Sequence, residues 1–184
     1  MRDVISNVIS DLQTVTADAQ ATFGGLSEAQ LNWRPSAESW SVGQCLEHLI
    51  KTNELFFPTF DKVAAGGRQN SFWENWSPLS GFLGGFLIKS LKSDERKFKA
   101  PSPAIVPPSN IAVDIVAQFA RHQDAVADRV KAMAKVDTQK VKVTSPFMKL
   151  MTYTLSDALH ITVVHEQRHI RQAKRVMQTE GFPQ

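Results

Sequence analysis

The stretch TLSDALHITVVHEQRHIRQAKRVMQTE, running from Thr154 to Glu180, decides how the chain folds. With His165 as the zero of a helical wheel at about 100° per residue, Ala158 and Val176 fall near ~20°, His169 near ~40°, Thr162 near ~60°, and Leu155 and Ala173 near ~80°. Small and apolar residues thus share one stripe with two histidines, which predicts a long helix with that stripe turned inward. It begins near Thr154 or Ser156, and Gly181 and Pro183 are its stop signals. Histidines at i and i+4 stand one turn apart on one face, so both imidazoles can converge on a single metal ion. His160 falls opposite the stripe and is expected at the surface, outside any ligand set. Arg168, Arg171, Lys174 and Arg175 crowd the closing turns, where cations favour the helix macrodipole.

Working outward, three more long helices are predicted. Val4 to Phe23 repeats Val4, Val8, Leu12, Val15, Ala19 and Phe23 at spacings of three and four, and stops at Gly24-Gly25. Ser27-Glu28-Ala29-Gln30 has capping-box spacing for one further turn, which Arg34-Pro35 ends. A second box, Ser41 to Gln44 with Trp40 before it, opens a helix from Ser41 to Ala64 that Pro58 kinks or ends early. The third long helix covers Ile111 to Ala134, with Ile115, Phe119, Val126, Val130 and Met133 on one stripe. Between them, Asn70 to Trp76 reads as loop, Leu79 to Leu91 as a short glycine-weakened helix, and Pro101 to Pro108 as an extended connector. Residues 136–150 alternate only at Val141 and Val143, too short and isolated a signal for a sheet. The four tryptophans Trp33, Trp40, Trp73 and Trp76 are expected to be packing and loop anchors. These segments describe an all-α four-helix bundle with a long crossover between the second and third long helices. The whole chain, 1–184, is read as one domain, with 66–108 as loop, short-helix insert and crossover.

Composition narrows the function classes. The 184 residues are 42% hydrophobic and 21% charged, as in an ordinary globular domain large enough to bury a core. A net charge of +3 and a pI near 9.1 come without any block of like charge. Neither a DNA-binding motif nor a basic stripe with interleaved aromatics is present, so nucleic acid is not the expected partner. The most apolar run, Leu79 to Ile88, is interrupted by glycines and is far short of the ~20 residues that span a bilayer. The N-terminus carries no apolar signal core, and the single cysteine, Cys45, permits no internal disulfide. A cytoplasmic setting is expected.

A third histidine, His48, flanks the apolar face of the second long helix, beside Cys45, Thr52 and Phe56 in projection. Three neutral imidazoles from two helices would leave a metal an open coordination position. Imidazole ligation suits zinc, nickel, copper and iron alike, with zinc the first expectation and nickel the next. His122, between Phe119 and Val126, is a candidate fourth ligand or supporting partner, and Cys45 reads as a small buried hydrophobe rather than a ligand. Glu47 and Glu166 each adjoin a histidine in sequence, yet their side chains leave the helix about 100° away, so neither is an obvious general base.

Two stretches carry a family resemblance. One is Leu31-Asn32-Trp33-Arg34-Pro35 followed by Trp40-Ser41-Val42-Gly43-Gln44-Cys45-Leu46-Glu47-His48-Leu49. The other is His165-Glu166-Gln167-Arg168-His169-Ile170-Arg171-Gln172. The chain resembles the DinB-like superfamily, especially its YfiT-like branch of metal-dependent enzymes, over nearly its whole length. The resemblance implies a four-helix bundle with a long crossover and a metal held by His48, His165 and His169. It also implies diverse activities: some members are thiol S-transferases or isomerases using low-molecular-weight thiols such as bacillithiol or mycothiol, and others are hydrolases. The name refers to damage-inducible expression and implies no DNA chemistry. The expected function is a metal-dependent hydrolase or thiol S-transferase acting on a small molecule, with such a thiol as co-substrate in the second case. The alternative is a non-catalytic metal-binding or interaction bundle, paired as a homodimer through an apolar face such as Phe82-Leu83-Gly84-Gly85-Phe86.

Overall fold

The structure, a computed structural model, describes residues 2–66, 70–71, 74, 80–93, 102–148 and 150–184. Much of the expected Asn70–Trp76 loop, including Trp73 and Trp76, lies outside them. The elements in chain order are α1 (Arg2–Phe23), α2 (Glu28–Asn32), α3 (Val42–Glu54), α4 (Phe57–Ala64), α5 (Ser80–Lys92), a 3-10 turn (Pro103–Ile105), α6 (Ile115–Ala132), β1 (Lys142–Thr144), β2 (Thr152–Thr154) and α7 (Leu155–Met177). The fold is predominantly helical, and no helix among the described residues is long and apolar enough to cross a membrane.

Local chemistry explains where the elements begin and end. Ser27 with Gln30, Ser41 with Gln44, and Thr154 with Asp157 each form a reciprocal capping box that satisfies backbone donors otherwise left orphaned. The expected helix over Ser41–Ala64 is two helices. α3 ends at Glu54, and α4 begins at Phe57 with Pro58 in its first turn, where a missing N–H removes no helical bond. The glycines of α5 have a packing reason. A Cβ on Gly84 would come within 2.5 Å of the Asp157 carboxylate, so this helix can lie on the first turn of α7 only with glycine at that point.

The reading of residues 136–150 as free of sheet is corrected. β1 pairs antiparallel with β2, Val143 opposite Tyr153, and both side chains are buried. Its partner strand, residues 152–154, ends on Thr154, the cap of α7, and three-residue strands are too short to show a period of two.

Helices α1 and α3 each pack against both α6 and α7, while α5 lies along α7 and β2. The core falls into two apolar clusters. One gathers Ile5, Val8 and Leu12 of α1 with Phe60, Val126, Val130 and the first half of α7 up to Val164. The other gathers Val15, Ala19 and Phe23 with Leu46, Leu49, Phe119 and the second half of α7 from Ile170 onward. Each fully buried Leu or Phe contributes roughly 1.5–3 kcal/mol, so these clusters dominate stability. Between them α7 carries His165, Glu166 and His169, α3 carries His48, Thr52 and Asn53, and α6 carries Gln123. All but His165 of this set are buried. A polar layer therefore separates the two clusters.

Candidate metal centre

Within that layer His48, His165 and His169 come together, and one ring nitrogen from each lies within 4.8 Å of the others. Their ring centroids are 5.2, 4.6 and 4.6 Å apart. The i,i+4 spacing on α7 sets two rings edge to face on one side of the helix, and the packing of α3 against α7 supplies the third.

The hydrogen bonding leaves the donor set pointing inward. His48 Nδ1 lies 2.8 Å from the Ile105 carbonyl oxygen, a partner that can only accept, so this nitrogen carries the proton and Nε2 keeps a lone pair. His48 Nε2 faces His165 Nε2 at 3.3 Å, with the Thr52 hydroxyl at 3.4 Å. Nitrogens held ~2.0–2.1 Å from a tetrahedral centre lie ~3.3 Å from one another, so this spacing is that of neighbouring ligands. The Nδ1 atoms of His165 and His169 are buried without a partner among the described residues, while the Gln172 side chain hydrogen-bonds the His169 ring. These residues fit a divalent cation.

Electrostatics favours neutral rings. Burial lowers the pKa of His48, against the Ile105 hydrogen bond and with help from Lys51. Burial pushes His165 down to about 3, with His48 and Arg168 adding to the effect. Burial, His165, His48 and Arg168 hold His169 well below the ordinary imidazole range. Deprotonated imidazole is the ligating form, so no proton has to leave before a cation binds at neutral pH.

One wall is aromatic. Trp40 lies 4.7 Å from the His48 ring and stacks on His169 at 5.7 Å and 25°, so it forms one face of the site and is more than a packing anchor. His165 alone of the triad keeps partial exposure. Arg168 donates to the carbonyls of Leu91 and Ser93, holding the end of α5 beside the cluster.

Glu166 belongs to the same layer, and the expectation drawn from its projection misses what it does. It leaves the ligand stripe and yet is fully buried. Asn53 Nδ2 donates to Oε1 at 2.8 Å and Gln123 Nε2 donates to Oε2 at 2.7 Å. Burial raises its carboxyl to about 7, against the opposing pull of Gln123 and Asn53. The signal was its spacing from Leu159 and Ala173, both buried and seven residues away on either side.

Other candidates lie elsewhere. His122 is not a fourth ligand: its ring stacks on Phe57 at 5.2 Å, and Arg129 covers that phenyl ring at 3.8 Å. Cys45 stays outside the cluster, as expected, and burial pushes its thiol up to about 12. His160 also stands outside it, but is half-buried, with Nδ1 2.9 Å from the Ser156 carbonyl. Glu47 pairs with Lys51 at 3.7 Å.

Comparison with known proteins adds one finding. The family model described as DinB superfamily matches residues 11–173, a span that includes all three clustered histidines. Neither the curated proteins nor the solved structures contain a match.

Proposed function

The chain belongs to the DinB superfamily, and from that premise we propose that it is a metal-dependent thiol S-transferase whose centre is His48, His165 and His169. The single observation carrying the metal assignment is the convergence of three imidazole nitrogens within 4.8 Å in a buried layer. Packing of α1 and α3 against α6 and α7 supports the accompanying reading of a four-helix bundle that holds the centre between its helices. Bound there, a divalent ion supplies Lewis acidity, lowering the pKa of a water or thiol so that a nucleophile is available at neutral pH.

The chain's own residues favour the thiol over water. Water attack profits from a general base within hydrogen-bond reach. Glu47 is engaged with Lys51, and both oxygens of Glu166 are turned to Asn53 and Gln123. A thiol needs less help, because its free pKa of ~8.5 is already far below that of water. Trp40 covers one side of the cluster, and His165 is the member of the triad that keeps partial exposure. Zinc is the expected metal and nickel the alternative.

The test is elemental analysis of purified wild type beside His169→Ala, followed by an assay of thiol transfer to small electrophiles with and without reconstituted zinc or nickel. Near-stoichiometric metal lost in the variant, with metal-dependent thioether formation, is the expected result. Metal-dependent ester or amide hydrolysis with no thiol adduct would replace this reading with a hydrolase. A wild type that binds none of the metals would end both.

A further inference from the structure

Hydrogen bonding treats the three histidines unequally. A metal-ligating histidine ordinarily donates its second N–H to a partner that fixes the ring. His48 has the Ile105 carbonyl as the acceptor for its Nδ1–H. The Nδ1 atoms of His165 and His169, the two histidines on α7, are buried and have no partner among the described residues. The aim of these two rings follows the backbone of α7, from how far that helix is rotated and advanced relative to α3.

The next residue along is Glu166, and the group that grips it from α3 is Asn53, on the helix that carries His48. We propose that the Asn53–Glu166 hydrogen bond is a positioning contact of the metal centre, locking the two ligand-bearing helices at one level so that His165 meets His48. The proposal rests on the metal reading above and extends it to residues that do not touch the metal. One residue of helical advance is ~1.5 Å, so a small slip of α7 would spoil the 3.3 Å approach of the two Nε2 atoms. Within the apolar clusters on either side, side chains of one kind face one another and resist such a slip less specifically.

Gln123 provides the internal control. It makes a bond of nearly the same length to the other oxygen of the same carboxylate, from equal burial. It sits on α6, which contributes none of the clustered histidines. A merely structural role predicts that losing either amide has the same consequences; a positioning role predicts that they differ.

The experiment compares wild type, Asn53→Leu and Gln123→Met as full-length chains. Zinc affinity is measured by competition with a chromophoric chelator, and metal-free stability by thermal denaturation in EDTA. Both variants are expected to lose comparable metal-free stability, while zinc affinity falls roughly 10- to 100-fold in Asn53→Leu and stays near wild type in Gln123→Met. Unchanged affinity in Asn53→Leu, or an equal fall in both, would overturn the positioning role while leaving the metal centre standing. Absence of zinc binding in the wild type would remove the metal reading itself, and the inference with it. If Asn53→Leu does not fold, Asn53→Ala deletes the same bond without placing an apolar chain against Glu166, and the same comparison decides.

Discussion

Acid should unfold this protein partly through a histidine outside the candidate centre. His122 is stacked on Phe57, its Nε2 is buried without a partner among the described residues, and burial with Arg129 nearby brings its pKa from 6.5 to about 4. In the unfolded chain the imidazole regains its ordinary value. Between those two values the unfolded state therefore binds the extra proton and the folded state does not. Stability from this group is complete above pH 6.5 and is lost as the pH falls toward the folded value. Linkage puts the loss between pH 7 and pH 5 at about 2 kcal/mol, a ceiling because part of the ring meets water. Replacing His122 with Phe keeps an aromatic ring on Phe57 and removes the titration. Urea denaturation followed by tryptophan fluorescence, at pH 7 and pH 5, gives the stability of both proteins. The wild type should lose up to about 2 kcal/mol more than His122→Phe over that interval. The difference should be the same with and without zinc, because this residue stands apart from the clustered histidines. Parallel losses in the two proteins would refute the account, and a difference abolished by zinc would return His122 to the metal site.

Three further outcomes follow from the structure. Zinc at a hundred times its dissociation constant should stabilise the wild type by about 2.7 kcal/mol, and EDTA should reverse the rise in melting temperature. His48→Ala should show no such response. The two central glycines of α5 should behave oppositely: Gly84→Ala drives a Cβ into Asp157 and should cost about 1–3 kcal/mol, whereas Gly85→Ala meets open space and should gain about 0.5–1 kcal/mol from helix propensity, both read by thermal denaturation. Cys45 should resist a thiol reagent such as a disulfide chromophore until urea unfolds the chain, since it is buried and its pKa is pushed up to about 12. Labelling of the native protein within seconds would show that its surroundings open.

What the sequence discloses depends on how far apart the interacting residues are. Capping boxes at Ser27 and Ser41 are local chemistry and were legible before any fold, as were the stripe of α1 and the inward face that places His165 and His169 together. The convergence of His48 with that pair depends on packing between helices more than a hundred residues apart, and the family motifs rather than spacing supported it. The β1–β2 pairing was hidden because each strand is too short for alternation to register. Glu166 was hidden differently. Its angle from His165 was right, but on a helix buried over most of its circumference, leaving the ligand stripe does not mean reaching solvent. The apolar neighbours of His122 in sequence indicate partial burial, but not that its ring stacks on Phe57, beneath Arg129, rather than joining the clustered histidines.

The polar layer between the two apolar clusters has a consequence for how the helices find their alignment. Leu, Val and Ile on either side are nearly interchangeable, so a helix displaced by one turn, ~5.4 Å, would still set hydrocarbon against hydrocarbon. It would also strand the Glu166 carboxyl away from Asn53 and Gln123, at a cost of roughly 3–5 kcal/mol if the group stays charged. The layer thus works as a vernier mark, giving one position along the helix axes a reading that no neighbouring position shares. Any sequence drift that erased it would loosen the alignment of the helices and disperse the three imidazoles in the same step.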